Sequence, residues 1–185
     1  MFSDKSSHQV FALRAIFAAI LILLAAVLRI APHPWNFTPI GAMALFSGAM
    51  FRDRRIAFLF PLLALFAGDL FVGLYRLIPA VYASFMVEVC IGTWLTNRRS
   101  ILRIGMATLL GALQFFLITN FAIWKAFDTY PPTLAGLGAC YLAGVPFFGN
   151  TLAGDAIYAA LFFGVFALAE RLFPAFREPS PLASA

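Results

Sequence analysis

The 185-residue sequence predicts an all-α integral membrane fold of six transmembrane helices, and three observations carry that expectation. Hydrophobic residues make up 63% of the chain and charged residues 11%, against roughly a quarter charged in soluble domains. Mean hydropathy is +0.92. The apolar residues also fall into long runs, and at roughly 20 residues per crossing a chain of this length holds about five to seven spans. Finally, the breaks between runs alternate between arginine-rich and aromatic, proline-rich stretches.

Residues 1–9, "MFSDKSSHQ", read as a polar tail. Helix 1 covers 10–30, interrupted by Arg14 and closed by Arg29. A cleaved leader also has a basic start and an apolar middle, but no small-x-small cleavage site precedes the next polar stretch. "RIAPHPWNFTPIGAMALF" then leads through a proline-rich loop into a short helix 2 over 39–51, stopped by "RDRR". Helix 2 is short for a full span and must lean on its neighbours. Helix 3 covers 56–75 and helix 4 covers 78–96; "NRRSILR" then turns the chain into helix 5 over 101–124. "KAFDTYPPTLAGLGACYLAGVPFFGN" is broken by Pro131, Pro132 and Pro146, which predicts an outer loop holding a short helix near 134–144. Helix 6 follows from Asn150 or Thr151 to about Phe173, and 174–185 form a second polar tail. The whole is one membrane domain, 10–173.

Charge placement orients it. Six helices put Lys5, Arg14, Arg52, Arg54, Arg55, Arg98, Arg99, Arg103, Arg171 and Arg177 on one side, and only Arg29, Arg76 and Lys125 on the other. The positive-inside rule makes the first side cytoplasmic, so both termini are inside and the loops after helices 1, 3 and 5 face outward. The formal charge of +5 is spent on topology, which argues against nucleic-acid binding. Cys90 and Cys140 have no zinc or redox spacing and read as small buried hydrophobes. No GxSxG, HExxH, P-loop or GxGxxG is present, so an enzyme is not expected. Two alternatives stay open: a polytopic membrane enzyme without a recognised motif, using His33, Asp69 and Asp155 but lacking an obvious nucleophile, and a structural or assembly protein.

The outer loops hold nearly all the polar chemistry, and the candidate ligand-binding residues are His33, Trp35, Asn36, Asp69, Tyr75, Tyr82, Tyr130, Tyr141, Asn150 and Asp155. Several of the aromatics fit an interfacial belt equally well. "LFAGDLF" around Asp69 echoes "TLAGDAIY" around Asp155. Asp155 is expected in the first turns of helix 6, where a carboxylate meets the positive end of the helix dipole. Asp69 falls toward a helix C-terminus and needs a partner, from Arg76, Arg29 or a ligand. Glu88, deep in helix 4, reads better as bonded to Gln114 and locking two helices than as a proton or cation relay. In this outer layer His33, Asp69, Tyr82, Tyr141 and Asn150 are expected to share one cavity. On helix 1, Ala12, Ala15, Ala19 and Ala26 form a face that lets another helix approach closely.

This arrangement resembles the substrate-binding S-components of energy-coupling factor (ECF) type vitamin transporters. The shared features are six helices with cytoplasmic ends, a short helix 2, the AxxxA pair Ala15 and Ala19, and a binding layer from outer loops 1, 3 and 5. More locally, "PHPWNFTPIGAMALF", "GDLFVGLY" and "YPPTLAGLGACYLAGVPFFGNTLAGD" are similar to small bacterial membrane proteins of that kind, with the solitary cobalamin transporters of BtuM type the nearest in kind. The resemblance implies a multi-pass protein of the bacterial cytoplasmic (inner) membrane, surrounded by lipid and without an intrinsic cofactor. It implies a transported vitamin-like ligand, cobalamin or another corrinoid first. It also implies docking of Ala15 and Ala19 on a transmembrane coupling subunit driven by two ATPases, or uptake by the chain alone. BtuM-type proteins set a cysteine on cobalt; helix 4 here reads "IPAVYASF" with no cysteine, which leaves His33 as the axial ligand to cobalt.

Overall fold

The computed structural model describes residues 2–28, 34, 36–51, 53–173 and 176, and within them every regular element is helical. Six helices follow one another: α1 (Phe2–Leu28), α2 (Ile40–Met50), α3 (Arg54–Val72), α4 (Ile78–Thr93), α5 (Ile101–Ala126) and α6 (Leu134–Leu172). Of these, α5 and α6 are each long and apolar enough to cross a membrane.

The sequence explains where the helices start. Asp53 caps α3 by accepting from the Arg55 N–H at 2.8 Å, Ser100 caps α5 through the Arg103 N–H, and Thr133 caps α6 through the Gly136 N–H. At its far end α3 stops on Gly73, whose φ of 99° is open only to a residue without Cβ. The start of α2 lacks such a device, because the residue before it is Pro39, which has no side-chain acceptor.

The short helix is the centre of the fold. Residues 40–49 of α2 are all buried, and α2 packs on each of the other helices, most closely on α4. "IGAMALFSGAM" is apolar or small on every side, as a helix surrounded by other helices must be. Its 11 residues reach about 16 Å, roughly half of a hydrocarbon core about 30 Å thick. Where α2 crosses α4, the two backbones touch: a Cβ on Gly48 would strike the Val89 carbonyl, and one on Gly92 would strike the Leu45 carbonyl. Glycine is the only residue that fits either place.

The last third of the chain departs from the sequence expectation. In place of a loop, a short helix and a separate helix 6, α6 runs unbroken for 39 residues, with Pro146 inside it. Proline costs a helix one backbone bond, and tertiary contacts on both sides of it make up for that loss here. Before Pro146, α6 packs on the end of α5: the Tyr141 hydroxyl donates to the Leu117 carbonyl at 2.8 Å, and Phe116 meets Tyr141 and, just past the proline, Phe148. After it, Phe162, Phe163 and Phe166 close around Phe46 of α2.

The basic residues come together at one end. Glu170 of α6 pairs with Arg14 of α1 at 2.8 Å and with Arg99 before α5 at 3.4 Å, and both guanidiniums lie over the Phe166 ring. On α1, Ala18 and Ile22 point into the core and Ala15 and Ala19 are half-buried beside them, so much of the alanine face is used for internal packing. Cys140 is buried as expected, but Cys90 is exposed on α4.

Candidate functional site

Because α2 is short, the other helices extend past its first turn and leave a space above it. That space is a cavity of about 470 Å³. Its floor is Thr38, Ile40 and Gly41; its walls come from Leu65 of α3, Val81, Phe85 and Glu88 of α4, Phe115, Thr119 and Ile123 of α5, and Thr151 and Asp155 of α6. Asn36 and Tyr75 stand at the rim, in the turns before α2 and after α3. Asn36 adopts a left-handed φ of 62°, a conformation asparagine tolerates better than most side chains, in a turn closed by the Phe37 N–H donating to the Pro34 carbonyl. The volume falls in the range of pockets that enclose drug-sized molecules.

Two carboxylic acids line this space. Asp155 is 3% exposed, and its Oδ1 accepts from the Ala42 N–H at 3.2 Å. Ala42 is the third residue of α2, so the missing cap of α2 is supplied by α6 from across the fold. The position of Asp155 therefore needs correcting. It lies in the middle of α6, far from that helix's own N-terminus, and the dipole it meets belongs to α2. The approach is tight: a Cβ on Gly41 would collide with the Asp155 carboxylate, and one on Gly154 would press on Phe37 and the Thr38 N–H. The glycine of "AGD" thus admits a neighbouring backbone.

Glu88 is 1% exposed, and its Oε1 has no hydrogen-bond partner among the described residues. The expected lock with Gln114 does not form. Gln114 Nε2 donates to the Ser84 carbonyl at 3.1 Å instead, and Gly111 leaves room for the Glu88 carboxyl, since a Cβ there would strike Oε1. The hydroxyls of Thr119 and Thr151 donate back to the carbonyls of Phe115 and Phe147, which leaves their oxygens able to accept from a ligand.

Of the residues singled out by sequence, Asn36, Tyr75 and Asp155 meet around this cavity. The others do not join them there. Asp69 is fully buried beneath Tyr82, whose hydroxyl donates to Asp69 Oδ2 at 2.9 Å; Arg76 is turned away to the Ala126 carbonyl. Tyr141 serves the α5–α6 seam, while Tyr130 stands in the α5–α6 loop and Asn150 on α6 one residue before Thr151. The shared cavity expected of Asp69, Tyr82, Tyr141 and Asn150 is therefore corrected: aromatic and polar type located the outer layer, but helix phase decides which side chains face its interior. His33, Trp35 and Arg29 lie outside the described residues, as does any contact they make. Glu88, Thr119, Phe85 and Phe115 were missed as site residues. The signal for Glu88 was present, since an acid in a run such as "FMVEVCIG" is costly to bury.

A second, larger cavity of about 940 Å³ opens at the opposite end, between the start of α5 and the end of α6. Of its charged lining residues, Arg99 and Glu170 are engaged in the ion pairs already described, and its walls are otherwise largely apolar. The smaller cavity has the convergent polar groups expected of a binding site.

A family model matches residues 9–176, which includes every residue of the cavity. The chain belongs to the DUF6580 family. That family is of unknown function, so its name adds a boundary and no activity. The DUF6580 match takes in all of α2 to α6. No curated protein and no solved structure matches the chain.

Proposed function

We propose that this DUF6580 protein is a multi-pass protein of the bacterial cytoplasmic membrane that captures a small, vitamin-like molecule from the outer side for uptake, in the manner of an ECF S-component. The observation that carries this reading is the cavity over the start of α2, with its two acids and its threonine and aromatic walls. Its placement supports it. The cavity lies at the start of α2 and α4 and the end of α5, whereas the arginines cluster at the opposite helix ends, so a cytoplasmic basic end turns the cavity outward. Large apolar side chains stand exposed on α1, α3, α4, α5 and α6, among them Ile16, Phe66, Val87, Leu109 and Leu168. Lipid is the solvent in which that surface costs nothing. In this reading all six helices sit in the bilayer, with α2 held at the centre and both termini inside.

The cavity narrows the ligand. A corrinoid is several times larger than the molecules that pockets of this volume enclose, so a smaller solute fits better. Native mass spectrometry of gently solubilised protein tests the reading. A small molecule should copurify with the wild type and be absent from Val81→Trp, which places an indole in the cavity. Its absence from both, with no cavity-dependent uptake, rejects the proposal.

Orientation and coupling give two further expected results. A cysteine placed at Thr129 labels with an impermeant reagent in intact cells and one at Arg54 does not; the reverse overturns the topology. Docking on a coupling subunit predicts that Ala15→Leu with Ala19→Leu blocks uptake while ligand still copurifies. Unchanged uptake assigns that face to internal packing alone.

A further inference from the structure

Resting on the reading of the cavity as a ligand site, we propose that its ligand is an organic cation, whose protonated or quaternary nitrogen is held between Glu88 and Asp155 and whose apolar body lies against Phe85 and Phe115. Both acids line the same cavity, at 1% and 3% exposure, and Glu88 Oε1 has no hydrogen-bond partner among the described residues. An acid buried without a partner costs several kcal/mol, in the order of magnitude found for unpaired groups, and a cation removes that cost for Glu88 while adding a second partner to Asp155. An opposing feature is the N-terminus of α2, which offers the cavity roughly half a positive charge. Asp155 already engages it through the Ala42 N–H, which leaves Glu88 to face the ligand.

The walls favour an organic cation over a metal ion. Hard cations take about six or more oxygen ligands, and no group of three or more His, Cys, Asp or Glu side chains that could hold a metal occurs among the described residues. The remaining wall is aromatic and aliphatic. Phe85 and Phe115 pack with ring centroids 5.3 Å apart and tilted by 35°, and both border the cavity. A cation held at Glu88, three residues along α4 from Phe85, lies within the reach over which an aromatic face attracts positive charge. An alkylammonium or aromatic amine uses every surface the cavity presents.

The test uses three probes of one shape and different charge: benzylammonium, benzyl alcohol and benzoate, titrated at neutral pH against the full-length protein in phosphatidylcholine nanodiscs, with binding read by calorimetry. Benzylammonium should bind about tenfold or more tighter than benzyl alcohol, and benzoate more weakly than either. Glu88→Gln keeps the shape and should erase the preference, weakening benzylammonium about tenfold or more while leaving benzyl alcohol unchanged. Val81→Trp should abolish binding of all three. If benzyl alcohol matches benzylammonium and Val81→Trp removes both, the cationic ligand is refuted while the cavity remains a binding site. If no probe gives a signal that Val81→Trp removes, both readings fall. Should Glu88→Gln not fold, the charge series on the wild type decides alone.

Discussion

Gly92→Val leaves no monodisperse protein in detergent, or lowers its stability by at least about 3 kcal/mol, because the new side chain has only backbone to displace. The Leu45 carbonyl blocks the Cβ, and Gly48 Cα lies 3.1 Å from it. No side chain can rotate aside. The only relief is to part α2 from α4, which moves Phe85 and Glu88 away from Ile40 and Gly41 and opens the cavity from below. Gly48→Val, which meets the Val89 carbonyl from the other helix, should do the same. The contrast is with Gly138 and Gly164, where a Cβ meets nothing within 4 Å. Alanine at either is expected to be neutral or to gain up to about 1 kcal/mol through helix propensity. Thermal unfolding of the four variants side by side checks the result; equal damage from all four would mean that the α2–α4 crossing does not control stability.

Asp155→Ala is expected to cost about 2 kcal/mol and to loosen the first turn of α2, since it removes the acceptor of the Ala42 N–H and leaves that donor buried. Asp155→Asn keeps an oxygen in place and should cost less than about 1 kcal/mol, while removing the charge that the cationic-ligand proposal needs. The two variants separate structural from binding roles. Hydrogen exchange at the Ala42 amide provides the local measure, faster in the alanine variant and little changed in the asparagine one. Equal protection in both would show that α2 does not depend on α6 for its cap.

Much of the architecture is written in local patterns. The helix starts at Asp53, Ser100 and Thr133 are capping residues at the ends of polar breaks, and the apolar runs that follow them are long enough to read as helices. The order of the helices through α5 follows from that, as does the gathering of arginines at alternate breaks. Breaks are weaker evidence inside an apolar context: Pro131 and Pro132 do end a loop before α6, but Pro146 does not interrupt it. A proline's local cost is outweighed when the helix on either side of it is packed, by Tyr141 on one flank and Phe148, Phe162 and Phe166 on the other.

By itself, then, the sequence determined that the protein is all-helical and that acids, aromatics and asparagines collect between the same helices. The tertiary structure alone decided which of them meet. Asp155 was legible as an acid serving a helix N-terminus, but that N-terminus lies 113 residues away in the chain, and no local pattern encodes it. Asp69 was legible as needing a partner, and helix phase supplied the Tyr82 hydroxyl from the next helix. Glu88 was legible as costly, yet only the packing of α4 against α5 at Gly111 sends Gln114 to a backbone carbonyl and leaves the acid to the cavity. The reason is one of range: caps and hydrophobic periodicity act within a few residues, whereas a binding site is made of side chains brought together from five segments by the way a short central helix is surrounded.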